Sequence, residues 1–424
     1  MPIGSASIPF PPGTYPGIAC KEYGQDGVWE TVPISKDHPE YGTMPHCRTT
    51  SSGTSTHVTD IYIKAIEVTQ AIQCLDQSEG CKDCPDNSLP LTSGKPTAVR
   101  VYIGHKGGSG KSGDIILKDV NVEIRPSVIY DAGGEDIMET WPPYRQSYNV
   151  PFSNDLNELR RAKWGSATFT LTDQASIKHK KLIVTAEVSS NKISDTDLSN
   201  NIKTVELSYV ARDPLVINYI FIYYNPDGYI GNKWPETKDL NFVSNLMEKT
   251  FPIPIKYNNV PGMRWLVYGN YPEIGYECNC EKCPALFGYT CSNHLACIFE
   301  INRRLSSYYH EMNPKPDVLI GWLPAGANGD GKFVLYGWSS RDVGVVINKN
   351  ENHGPSNEER LAHEVLEALN LAIGGAQGPH DHSPIREVGF DVIAGEPIPS
   401  TSNDITAGGD WISPETWNNI IKVS

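Results

Sequence analysis

The hydrophobic period changes once along this 424-residue chain, near residue 213, and that change limits the possible folds more than any other feature. Before it, apolar and polar residues alternate in short runs at 61–68 (IYIKAIEV), 97–103, 166–171, 181–188 and 202–207. A period of two puts every second side chain on one face, as in a half-buried strand. Runs of this kind separated by turn residues predict an all-β sandwich over residues 59–212. After residue 213 strands alternate with helices. The segments 214–224 (PLVINYIFIYY), 264–268, 317–323 and 343–349 read as strands, and 236–251 and 292–311 read as helices. Residues 213–424 are therefore expected to form an α+β domain with a Cys-rich insertion at 278–297.

Residues 1–58 are rich in Pro, Gly, Ser and Thr and hold no sustained period, so they read as an extended tail. Such a tail could add as a strand to an exposed sheet edge and link copies into a filament. Lys and Arg total 36 against 50 Asp and Glu, a net charge of -14 with no long basic run, which argues against nucleic acid as a partner. No window reaches the roughly 18–20 apolar residues of a membrane span. The expected partners are further copies of this chain or another extracellular protein.

Ten cysteines in a loop-rich, weakly charged chain suggest an oxidising compartment, hence an extracellular or cell-surface location. Met1 is followed by PIGSASIPFPPGTYPG, which has neither the basic nor the apolar region of a leader. The cysteines form three groups: Cys20 and Cys47; Cys74, Cys81 and Cys84; Cys278, Cys280, Cys283, Cys291 and Cys297. Two groups are odd in number. If all ten pair, at least one bridge leaves the second group and one leaves the third, most simply a single disulfide between them. The Cys81-x-x-Cys84 and Cys280-x-x-Cys283 spacings also fit zinc knuckles, and that alternative stays open.

One helix carries the chemistry. Ser356-Asn357-Glu358-Glu359 has the form of a capping box, so a helix should start near Asn357. Leu361, Val365, Leu366 and Leu369 supply its buried face and Gly374-Gly375 its stop. Within it, His363 and Glu367 are four apart and share a face on which they can approach one ion. Glu364 stands one step round, where a general base for metal-bound water belongs.

Two stretches of wording resemble known families. IEVTQAIQ, SLPLTSGKPTAVRVYI and DTDLSNN resemble the Ig-like CARDB-type modules of secreted prokaryotic proteins. In those modules the acidic, Asn-rich turn is a hairpin device, so Asp195, Asp197, Asn200 and Asn201 read as turn formers, with calcium as the alternative. AHEVLEALNLAIGG resembles the zinc helix of metzincin-type metallopeptidases, H-E-x-x-H-x-x-G-x-x-H. GWLPAG, EVGFDV and DITAGGDWISPETW resemble further segments of secreted bacterial metallopeptidases that follow a CARDB-like module, the last being the Met-turn and C-terminal helix. In outline the resemblance spans residues 61–417, with specific wording in a few short segments.

The departures bear on function. His363 and Glu364 are kept, but Glu367 replaces the second His, Asn370 the Gly, Ile373 the third His and Thr406 the Met. A Glu can ligate zinc and a hydrocarbon cannot. A complete zinc site would be His363, Glu367 and a third ligand from His380, Asp381 or His382, with Glu364 as base. The primary expectation is a structural or binding protein, outside the cell or on its surface, on a metallopeptidase-like domain that has lost catalysis and holds no cofactor. The alternative is a secreted zinc endopeptidase with an HExxE site and a downstream His. A third reading makes Trp322, Trp338, Trp411 and Trp417 stacking faces for a carbohydrate.

Overall fold

The computed structural model describes residues 19–22, 25–33, 43–49, 58–75, 85–153, 155–171, 179–225, 246–268, 293–323, 337–340, 342–347, 357–372, 387–398 and 411–423. They fall into two units, residues 1–57 with 107–109, and residues 58–106 with 110–424.

In the first unit, β1 (Ala19–Glu22), β2 (Gln25–Pro33) and β3 (Thr43–Thr49) form a three-stranded antiparallel sheet in sequence order. Its register pairs Ala19 with Val28 and Trp29 with Cys47. Part of the segment expected to be an extended tail is thus sheet. The β-formers Val28, Trp29, Thr31 and Val32 cluster inside one nine-residue strand, and the surrounding Pro, Gly and Ser hide that cluster when composition is averaged.

The second unit begins with an all-β region of two sheets. One has the order β10 (Ala167–Leu171), β6 (Thr97–Gly107), β4 (Val58–Thr69). The other runs β5 (Leu91–Thr92), β12 (Ile202–Val210), β11 (His179–Ser189), β7 (Ile115–Asp131), β8 (Asp136–Thr140), with β9 (Tyr144–Pro151) also on β7. Along β11, Leu182, Val184, Ala186 and Val188 are buried and their neighbours are not. They join Ile61, Ile63, Val99 and Val101 from the other sheet in one core, each fully buried aliphatic contributing about 1.5–3 kcal/mol of transfer free energy.

Strand β6 departs from simple alternation. Its in-facing Val99, Val101 and Ile103 enter that core, while Ala98, Arg100 and Tyr102, expected to face solvent, are also 0% exposed. Their face is covered from two directions. Leu75, Leu156 and Leu159 pack on Tyr102, the latter two from α1 (Leu156–Arg161). Phe390 and Val392, from far along the chain, pack on Ala98, and Arg100 lies 4.4 Å over the Phe390 ring.

After β12 comes a five-stranded sheet ordered β14 (Ile255–Tyr268), β13 (Leu215–Asn225), β15 (Val318–Leu323), β17 (Val343–Ile347), β16 (Gly337–Ser340). Three of its four pairings are parallel, and β16 is the antiparallel edge. A parallel sheet buries both faces. Ile220, Leu319, Val343 and Val345 face Ile301, Leu305 and Tyr309 of α2 (Asn293–Glu311). On the opposite face Val318, Ile320, Trp322 and Val346 meet α3 (Asn357–Ala372) and α4 (Pro414–Val423).

That second core also takes in Ala71, Ile72, Cys74 and Leu89 from the segment after β4. Polar links follow the same seam. Phe390 N and Trp411 Nε1 both donate to Ala71 O, at 2.7 and 3.2 Å, and Trp417 Nε1 donates to Pro90 O at 3.2 Å. Trp322, Trp411 and Trp417 are 0, 3 and 1% exposed, which overturns the expectation that they offer stacking faces; the Trp338 side chain lies outside the described residues. Among the described residues no helix is long and apolar enough to cross a membrane.

Candidate metal centre

Helix α3 runs from Asn357 as the capping pattern predicts, and Leu361, Val365, Leu366 and Leu369 bury against the sheet at 0–4% exposure. Anchoring that face fixes where every other side chain of the helix must go. His363 and Glu367 come to the accessible side, 26% and 24% exposed. Glu364, one step round, lies beneath the helix at 3% exposure. There it meets β16 and β17, which approach closely because Gly344 has no side chain. A Cβ on Gly344 would stand 2.8 Å from Ile320 Cδ1 and 3.5 Å from Glu364 Cβ.

His363, Glu364 and Glu367 each place one ligand atom within 4.8 Å of the others. His363 Nε2 is 3.3 Å from Glu367 Oε1. Two tetrahedral ligands on zinc, each at about 2.0–2.1 Å, stand about 3.3–3.4 Å apart. The pair therefore fits a zinc ion without moving apart, and its donors, an imidazole nitrogen and a carboxylate oxygen, suit that metal. Such an ion would be held by His363 and Glu367, and would supply Lewis acidity and an acidified water.

Glu364 is held differently. Ser339 Oγ, on β16, donates to the Glu364 main-chain carbonyl at 2.9 Å and also contacts Glu364 Oε2. Burial pushes the Glu364 carboxyl up to about 8, with Glu367 adding to the rise and Ser339 and His363 opposing it. A hydroxyl has one proton. Ser339 can therefore serve only one of these two Glu364 oxygens fully as donor at a time. The side chain in the base position is thus shifted toward its neutral form and closed on the edge strand.

The structure brings together His363, Glu364 and Glu367 from the expected set. His380, Asp381 and His382 lie outside the described residues, as does Thr406. Of the cysteines, Cys74 is buried and disulfide-bonded. The side chains of Cys20, Cys47, Cys81, Cys84, Cys278, Cys280, Cys283, Cys291 and Cys297 lie outside the described residues. Sequence reasoning missed Ser339, because the contact spans 25 residues and two elements whose neighbours only the sheet order fixes.

A second charged cluster stands apart from this site. Arg160 Nη2 donates to Glu67 Oε1 at 2.9 Å, and Arg160 Nη1 to Glu387 Oε2 at 2.8 Å. Arg100 Nη1 binds Glu67 Oε2 at 2.9 Å. All four side chains are at most 6% exposed. Arg160 also reaches the carbonyls of Gln73 and Leu75, at 3.0 and 2.9 Å. Two cations meet two carboxylates here, and both terminal nitrogens of Arg160 are bonded while its Nε has no partner among the described residues; pairing of this kind is what makes buried charge tolerable. The cluster joins β4, β6, α1 and the segment at 387, and reads as a structural fastening.

No protein-family model matches the chain, and no curated protein matches it.

Proposed function

We propose that this chain is a structural or binding protein of the cell surface or extracellular space, built on a metallopeptidase-like domain that no longer cleaves peptides. The observation that carries the reading is the division of the three site residues over two faces of α3. His363 and Glu367 are reachable from solvent, whereas Glu364 is buried beneath the helix and bound to Ser339. A general base must reach the proton it takes, directly or through one water, and this one is turned toward the sheet. The sequence also puts Ile373 where the third zinc ligand of the resembled motif belongs. Ten cysteines, with Cys74 buried and bridged, support an oxidising location. Self-association through residues 1–57 belongs to the same proposal.

The test is direct. Purified protein incubated with zinc and an unstructured protein substrate is expected to show no hydrolysis above that of a Glu364→Gln variant. Zinc-dependent cleavage that this variant abolishes would overturn the reading. Light scattering should show a larger assembly for the full chain than for one lacking residues 1–55.

The 3.3 Å approach of His363 and Glu367 favours one further reading, a zinc endopeptidase completed by His380 or His382. Under it, His363 and Glu367 hold the ion and Glu364 swings from Ser339 to accept a proton. Elemental analysis would then give about one zinc per chain, lost in His363→Ala.

A further inference from the structure

Lys95 sits in the connection between β5 and β6 and is 5% exposed. Its Nζ reaches a segment 153 and 156 residues further along the chain, where it donates to Glu248 O at 2.6 Å and to Phe251 O. Those carbonyls close the helical turn at 246–250, and the last carbonyls of a helix have no partners within the helix itself. A lysine side chain is a common substitute. The turn is anchored from its other side, since Met247, Phe251 and Ile253 are all 0% exposed in the core under the parallel sheet.

The hairpin end is fixed as well. Gln70 Nε2 donates to Thr92 O at 2.9 Å and to Thr97 Oγ1 at 3.1 Å, Thr92 N donates to Gln70 Oε1 at 2.9 Å, and Thr92 Oγ1 donates to Pro252 O. Both sides of the contact are thus held without help from Lys95, and the state of its amine is what remains variable. In this Lys95 differs from Arg100 and Arg160, which each meet a Glu67 carboxylate oxygen at 2.9 Å. The acceptors of Lys95 among the described residues are two neutral carbonyls. Glu248 is the charged group that acts on it, from an exposed side chain, and the adjacent Lys249 is drawn to Asp391 at 2.9 Å. A buried cation that lacks a paired carboxylate is costly. A neutral amine has two N–H bonds for the two carbonyls, whereas an ammonium has three and needs water for the last.

We propose that Lys95 is a pH-sensitive clasp between the β5–β6 hairpin and the helical turn at 246–250, closed while its amine is neutral and loosened once the amine takes up a proton. Burial brings the amine down to about 7, with Glu248 opposing the fall. The unfolded value is 10.5, so the contribution of the contact is fully present above 10.5 and is lost as pH falls toward 7. Acidification through neutrality therefore charges a group that joins the all-β region to the parallel-sheet region. The charged amine draws water into the joint, while the two aliphatic cores on either side carry no titrating group and stay packed.

Hydrogen exchange of the full chain at pH 6 and pH 9, corrected for intrinsic rates and read by mass spectrometry, tests the clasp. Peptides spanning 246–255 are expected to open about tenfold more often at pH 6 than at pH 9, while the buried run of β11 keeps its protection at both. Lys95→Met keeps the aliphatic stem and removes the titration, so its 246–255 peptides should exchange alike at the two pH values. Equal exchange in the unmodified chain, equal loosening of β11, or the same pH dependence in Lys95→Met would each overturn the proposal. Should Lys95→Met fail to fold, the unsubstituted chain with ¹³C-labelled lysine decides: the Lys95 Cε resonance is expected to titrate near 7, and a midpoint at the ordinary lysine value near 10.5 would overturn the clasp. Glu248→Gln, on an exposed side chain, removes the charge that favours the ammonium and is expected to move that midpoint to lower pH; one that stays or rises counts against it.

Discussion

Glu67 and Glu364 are both buried in this molecule, and their surroundings drive them in opposite directions. Burial pushes Glu67 up, but Arg160, Arg100 and the Tyr102 hydroxyl together hold it below the ordinary carboxylate range. Burial pushes Glu364 up as well, and among the described residues a serine hydroxyl and the partly exposed His363 imidazole resist, so it rises to about 8. Desolvation is common to both; the charge of the partner decides the outcome. A buried carboxylate with two guanidinium groups is a fastening. One with a hydroxyl is a side chain whose state a cation could change.

The contrast breaks most visibly at Arg160. Replacing it by Met leaves Glu67 and Glu387 buried with less compensation and is expected to cost about 3–5 kcal/mol, read as a lower midpoint in urea. A loss below about 1 kcal/mol would show that the cluster is not what holds this region together.

Next in size is pH. Glu364 is raised above its unfolded value of 4.5, so its contribution is fully present below that value and is lost as pH rises toward 8. Glu67 is depressed, so its contribution is present above 4.5 and is lost as pH falls through its folded value. Glu364→Gln should therefore remove a few kcal/mol of alkaline-side decline and leave the acid limb unchanged. Urea midpoints taken from pH 4 to 9 would show this, and an unchanged alkaline limb would count against a neutral Glu364.

A smaller effect is expected of Ser339→Ala, which removes the hydroxyl that contacts Glu364 and should cost about 1–3 kcal/mol. It should also move the Glu364 carboxyl titration, followed by infrared absorption, to higher pH. The smallest is Lys163→Ala. Lys163 pairs with Glu396, near the segment that Arg160 grips through Glu387, but both side chains are at least half exposed. Solvent screening should make that loss hardly measurable, so the two substitutions compare exposed with buried charge across neighbouring positions.

Much of the fold was legible because strands and helices imprint their period on the chain. The runs at 61–68, 97–103, 166–171, 181–188 and 202–207 lie in β4, β6, β10, β11 and β12. The helix at 292–311 and the start of α3 at Asn357 also fall where pattern and capping put them. Strand β7 escaped notice because Pro126 interrupts it, and proline argues against a strand interior. Pro126 falls between the stretch paired with β9, ending at Ile124, and the stretch paired with β8, beginning at Ser127.

Of the candidate site, residue types and helical spacing were enough to place His363 and Glu367 together, since neighbours four apart on a helix meet whatever surrounds them. The same holds for the alternation that buries Val184 and Ala186. Which way Glu364 faces, what caps it, and what covers the second face of β6 depend on elements far apart in sequence. Arg100 and Tyr102 occupy positions that alternation assigns to solvent, and they are buried because Phe390 and α1 close over them. Asp60 reads as an ordinary polar residue at a strand start until the β11–β12 turn comes against it. Local geometry follows from covalent structure and period, so the sequence by itself determined the elements and the spacing of His363 with Glu367. The surroundings that set a side chain's charge are assembled from distant segments, and only the tertiary structure decided those.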